Sequence, residues 1–269
     1  MHKPTRILAK SAPVQLGVDG AQLSFVRPDP AKPGQTGDRR LRLDGVDAFD
    51  LSFWCGTCPL LFERLGGANE TLSNDKMQSL LNRGLTSIDR KVIKAASKIL
   101  PKGRYLPMLL SVDPILVMPF SEGDYFANEQ VVHRGVEPFW GMPHNAHTPY
   151  YRGGTWQVEH ESLFEFIVPM VPPTWNESSR VDEYEARFKN GESQTVLALA
   201  VVDRTQPSDS FDAHSGLMHF VLDGHHKLEA AARVGSPVTL LSLLAVDDSM
   251  VGGDDLERLI GMIATDEVL

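Results

Sequence analysis

Apolar positions change their spacing along this chain, and the elements follow from those changes. Residues 6–9, 22–26 and 41–44 alternate or run apolar over a few positions, which predicts short strands. The apolar stretch 49–55 predicts another. Three prolines and two glycines between 28 and 37 predict a surface loop. The spacing then becomes helical. Ser73, Asn74 and Asp75 offer capping side chains ahead of Met77, Leu80 and Leu81. Ile88, Val92, Ala96 and Ile99 mark one face of a second helix, with Arg90, Lys91, Lys94 and Lys98 on its other faces. Residues 101–154 are rich in Pro, Gly, His and aromatics and predict no regular element.

From about residue 155 the pattern sharpens. Strands are expected at 163–170, 195–202, 217–222 and 238–244. Helices are expected at 181–189, closed by Gly191, and at about 226–234, closed by Gly235. Leu256, Leu259, Ile260 and Ile263 mark a final amphipathic helix. Such an order predicts a mixed α/β chain of the α+β kind, with an N-terminal strand and helix region over 1–150 and a compact domain over 155–269.

Composition narrows the class. Apolar residues are 42% and charged residues 23%, as in ordinary globular proteins. No apolar run reaches the roughly 18 residues of a membrane helix, and no signal core follows Met1, so a cytoplasmic protein is expected. Two cysteines three positions apart form no disulfide framework. Charge is uneven, +3 over residues 1–150 and −12 over 151–269. An acidic C-terminal part makes DNA an unlikely partner, because a phosphate backbone needs a concentrated positive surface. One small anion can still find a locally positive pocket.

The candidate chemistry lies at 219–232, where an apolar strand runs into Asp223, Gly224, His225, His226 and Lys227 and then an alanine-rich helix. Glycine at a strand-to-helix turn lets backbone approach a ligand, and the next helix presents free amides and a positive dipole end. Gly224, His225, His226 and Lys227 are therefore candidates for holding a phosphate. Asp223 can orient a histidine or help hold Mg²⁺ through water.

The element order and the Asp-Gly-His-His-Lys turn resemble the ParB/sulfiredoxin-like superfamily over about residues 160–246. That resemblance implies a small mixed-sheet domain in which the turn receives nucleotide phosphates, with one histidine and Lys227 in contact. Its sulfiredoxin branch carries a catalytic cysteine where this chain has His225, so that chemistry is not expected. Its partition branch binds CTP through an arginine-rich turn and DNA through a downstream region. Here Lys227 replaces the arginine, and only 25 residues follow Leu244. The free serine kinase branch has a similar Asp-Gly-His turn, with a carboxylate acting as base on the substrate hydroxyl. This branch is the nearest in motif. It implies ATP or ADP with Mg²⁺ as cofactor and a small hydroxylated metabolite as acceptor.

Glu161 and Glu165, on or just before the first strand of the domain, are the candidate bases, with Asp223 as a third catalytic candidate. Alternation points Glu165 to one face of the strand and Phe164 and Phe166 to the other. Two further readings rest on Cys55 and Cys58. A following helix at 60–65 would make them a redox pair of the thioredoxin type. Alternatively they have zinc-ligand spacing, and His144 and His147 could complete a Zn²⁺ site. A nucleotide-responsive regulator without turnover, contacting a protein partner through its N-terminal region, is the competing function.

Overall fold

The computed structural model describes residues 5–26, 39–55, 58–72, 75–129, 148–158, 160–205 and 213–264. Among these, thirteen strands and five α-helices make an α+β fold of three layers.

The central layer is a nine-stranded mixed sheet. It contains β1 (Arg6–Lys10), β2 (Val14–Leu16), β7 (Gly103–Val112), β8 (Ile115–Val117), β9 (Tyr150–Val158), β10 (Glu161–Pro169), β11 (Thr195–Thr205), β12 (Ala213–Asp223) and β13 (Val238–Ala245). Their order is β1-β7-β13-β11-β12-β10-β9-β8, with β2 also on β7. Parallel pairs β10–β12 and β11–β13 sit at the centre, and the remaining pairs are antiparallel. Strands from both sides of residues 150–155 share this sheet, since β7 lies between β1 and β13.

A four-stranded antiparallel meander covers one face: β3 (Leu23–Val26), β4 (Arg39–Leu43), β5 (Val46–Cys55) and β6 (Cys58–Arg64). Beside it lie α1 (Asp75–Leu81) and α2 (Arg90–Ala96), whose buried Met77, Leu81, Val92 and Ala96 join the same core. The opposite face carries α3 (Ser178–Lys189), α4 (His225–Val234) and α5 (Gly253–Ala264). Strand alternation serves both cores. Leu197, Leu199 and Val201 point to the meander side, and Val196, Ala198, Ala200 and Val202 to the helices.

Two expectations change. Residues 101–154, expected without regular structure, contribute β7, β8 and the start of β9. The obstacle in the sequence is Pro107, which cannot donate to a ladder. It is tolerated because β1 pairs with β7 up to Met108 and β2 from Tyr105, so Pro107 falls in the gap between them. In the stretch 60–65, where a helix would follow the cysteines of a redox pair, residues 60–64 belong to strand β6 instead. A short apolar run fits either period, and here pairing with β5 decides it, from Cys55–Cys58 to Phe49–Arg64. Ser73 and Asn74, expected as caps of α1, lie outside the described residues.

Candidate phosphate-binding site

Strand β12 ends at Asp223 and α4 begins at His225, leaving a single residue for the turn. That residue is Gly224, at φ 98° in the left-handed region. A Cβ there would lie 3.1 Å from Val196 Cγ2 and 3.2 Å from Val196 Cα. Backbone strain and crowding both disfavour a side chain there. Among the described residues no side chain caps α4. The first amides of a helix have no acceptor within it, so α4 starts with unsatisfied donors and a positive dipole end.

These donors border a cleft of about 110 Å³ at the C-terminal edge of β12. Thr71, Gln78 and Asn82 line it from the α1 side, Arg180 and Tyr184 from α3, and residues 223–227 from the corner itself. Position and content agree, because ligands of α/β sheets gather outside the carboxyl ends of strands. The volume is well below the roughly 300–1,000 Å³ of sites that enclose drug-sized ligands. It suits a phosphoryl-sized group. Two larger cavities of about 510 Å³ lie elsewhere, one beside Asp113, Ile115 and Arg233, the other beside Lys10 and α5.

Lys227 is buried, and its Nζ donates to the Thr195 carbonyl at 3.1 Å and lies 3.8 Å from Asp223 Oδ2. Burial lowers its pKa to about 8, against the opposing pull of Asp223. An arriving anion would restore favourable company for that charge. Arg180 supplies a second cation beside the same cleft.

Each of the two histidines has one ring nitrogen engaged within the fold. Nε2 of His225 accepts from the Val171 amide at 3.1 Å, and Nε2 of His226 accepts from the Glu177 amide at 3.2 Å. Both rings thus pin the 171–177 segment to the start of α4, which leaves only their Nδ1 edges to meet a ligand. Burial, then the neighbouring charges of His226 and Arg64, push the His225 pKa down to about 3, so its ring is neutral. His226 is lowered by burial and by Arg180.

Glu161 and Glu165 are not brought to this corner. In the parallel pairing of β10 with β12, Glu161 stands opposite Ala213 and Glu165 opposite Leu217. Ten and six residues of strand separate those positions from Asp223, about 33 and 20 Å at the usual rise. Both carboxylates are also engaged. Glu161 accepts from Arg204 Nη2 at 2.7 Å and Ser215 Oγ at 2.9 Å, and pairs with Arg258. Burial would raise its pKa, but these partners bring it below the usual carboxylate value. Glu165 is fully enclosed, accepting from Thr5 Oγ1 and from the Gly154 amide at 2.8 Å, with His219 Nε2 at 3.1 Å. Its orientation follows the alternation, with Phe164 and Phe166 in the opposite core. Of the three catalytic candidates only Asp223 lies at the cleft.

Cys55 and Cys58 are backbone register partners in the β5–β6 pair. They are therefore not at a helix N-terminus, where a dipole lowers a thiol pKa in thioredoxin-type pairs. His144 and His147, the other two Zn²⁺ candidates, lie outside the described residues. Among the described residues no group of three or more His, Cys, Asp and Glu is placed to hold a metal ion. Nor, among them, is any helix long and apolar enough to cross a membrane.

Sequence reasoning missed Arg180, Tyr184, Thr71, Gln78 and Asn82. For Arg180 a signal existed, since it immediately precedes the expected helix at 181–189, whose N-terminal end packs on the corner. The three residues from the α1 side carried none. Compared with protein-family models, curated proteins and solved structures, the chain matches none.

Proposed function

We propose that this protein binds a nucleotide, ATP or ADP accompanied by Mg²⁺, with its phosphates at the 223–227 corner, in the manner of the ParB/sulfiredoxin-like class. One observation carries the proposal: α4 opens without a side-chain cap, through a left-handed glycine, into a cleft that also holds Arg180 and Lys227. Amides, dipole and two cations converge on one phosphoryl-sized volume. The nucleoside lies outside so small a cleft. Mg²⁺ would arrive with the phosphates and neutralise part of their charge. The acidic C-terminal part disfavours a nucleic-acid backbone as the ligand.

In the phosphotransferase form of this reading, Asp223 takes the proton of a small hydroxylated acceptor, since Glu161 and Glu165 are too distant. That same distance favours a second reading, a nucleotide-responsive regulator whose N-terminal region contacts a protein partner. Both readings belong to the cytoplasm, where nucleotides are abundant. Nucleotide consumption across a panel of hydroxylated acceptors separates them.

Calorimetric titration with ATP, ADP and CTP, each with Mg²⁺, tests the binding itself. Lys227→Ala and Arg180→Ala are each expected to weaken binding by about 10- to 100-fold, as loss of a charge-assisted hydrogen bond does. Absence of heat with all three nucleotides at millimolar concentration would overturn the proposal.

A further inference from the structure

Two buried polar atoms at the corner are left over by the fold. Asp223 is 5% exposed, and its Oδ2, 3.8 Å from Lys227 Nζ, accepts no hydrogen bond among the described residues. His225 is 3% exposed. Because Val171 donates to its Nε2, the neutral ring carries its proton on Nδ1, and that N–H meets no acceptor among the described residues. Both residues line the 110 Å³ cleft. A buried group that lacks a hydrogen bond costs about 1–3 kcal/mol, and the two are of opposite kinds: one accepts, the other donates.

This pairing constrains the ligand. A fully ionised anion would satisfy His225, Lys227, Arg180 and the α4 amides, but it has no hydrogen to offer Asp223. It would instead hold an oxygen against a buried carboxylate. An anion that keeps one hydroxyl meets the donors and the acceptor together. Lys227 Nζ stands 3.8 Å from this carboxylate as an ion-pair partner, and beside it Oδ2 keeps room to accept a hydrogen bond from a ligand.

Building on the phosphate reading of the corner, we infer that the cleft selects phosphate groups that retain a P–OH. Inorganic phosphate and the terminal group of a phosphomonoester qualify, with Asp223 accepting from the hydroxyl. Sulfate and phosphodiesters, similar in size and charge but without that hydrogen, are discriminated against. The selecting element is the carboxylate, and the donors around it provide affinity without discrimination.

The test is calorimetry of the full chain at neutral pH with inorganic phosphate and with sulfate at matched ionic strength, and with methyl phosphate against dimethyl phosphate. Phosphate and methyl phosphate are expected to bind about 100-fold more tightly than sulfate and dimethyl phosphate, the size of one hydrogen bond to a buried charge. Asp223→Asn, whose amide can donate to an ionised oxygen, is expected to narrow the preference to within about 10-fold, with sulfate gaining affinity. Equal affinity of the wild-type protein for both members of each pair overturns the inference while the phosphate reading stands. An unchanged preference in a folded Asp223→Asn protein overturns it too. Phosphate that fails to bind where ADP binds has the same consequence, whereas failure of ADP as well removes the reading beneath it. The wild-type comparisons decide the matter without the variant.

Discussion

The burial of His225 at the start of α4 has a cost that appears in acid. His225 has an ordinary pKa of 6.5, which burial lowers to about 3 in the folded protein. The unfolded chain therefore binds a proton between those two values that the folded chain refuses. Stability from this residue is complete above pH 6.5 and falls as pH drops towards 3. At pH 5 the loss is about 2 kcal/mol relative to pH 7, from 1.4 kcal/mol per pH unit. Urea unfolding at the two pH values measures it, and His225→Gln is expected to remove most of the difference that this residue contributes. A variant that keeps the full slope would show that the proton binds elsewhere. At this scale the sequence was informative. Asp223, Gly224 and Lys227 stand at the cleft, as a strand ending in Asp-Gly before a basic helix start suggests. What it could not show was the use of each histidine nitrogen, because Val171 and Glu177 reach the rings from some 50 positions away.

Elements explain why Glu165 lies inside the sheet and away from the 223–227 corner. Its strand passes through the sheet interior, and β9 bulges opposite it, with Phe164 facing Thr155 and Phe166 facing Arg152. Gly153 and Gly154 fill the bulge. A Cβ on Gly153 would fall 2.0 Å from Glu165 Oε2, so the glycine makes room for the carboxylate. Beyond it, His219 Nδ1 lies 2.9 Å from Ser242 Oγ, so the polar chain crosses from β10 through β12 to β13. Each link is buried, which makes the chain a structural tie. Glu165→Ala leaves the Gly154 amide and Thr5 without their acceptor and His219 Nε2 without its partner, and is expected to cost about 3–5 kcal/mol in urea unfolding. Glu165→Gln keeps an acceptor, and ADP affinity of that variant is expected to be unchanged. A large loss of affinity there would bring Glu165 back into the ligand site. The Gly-Gly step was visible in the sequence, but only the strand register gives it meaning. In the same way 60–65 could be helix or strand until β5 chose between them.

At the scale of the molecule, the cleft is a product of both layers. The meander side contributes Thr71, Gln78 and Asn82, and the helical side contributes Arg180 and Tyr184, joined directly by Tyr184 donating to Asn82 Oδ1 at 3.2 Å. Leu72 also donates its amide to the Leu222 carbonyl at 2.9 Å, fastening the N-terminal segment to the strand that ends at the corner. The order of elements after residue 155 was legible, since apolar periods and glycine stops specify it locally. The N-terminal half was legible only in pieces, because its strands complete a sheet whose centre lies a hundred or more positions later. Pairing at such separations leaves little trace in local composition. Amide NMR of uniformly ¹⁵N-labelled protein during titration with Mg²⁺-ADP addresses the corner most directly. The largest shifts are expected at the amides of Gly224, His225, His226 and Lys227, and Lys227→Ala should abolish them at the same ligand concentration. Shifts confined to other parts of the protein, or none at all, would contradict phosphate binding at this helix start.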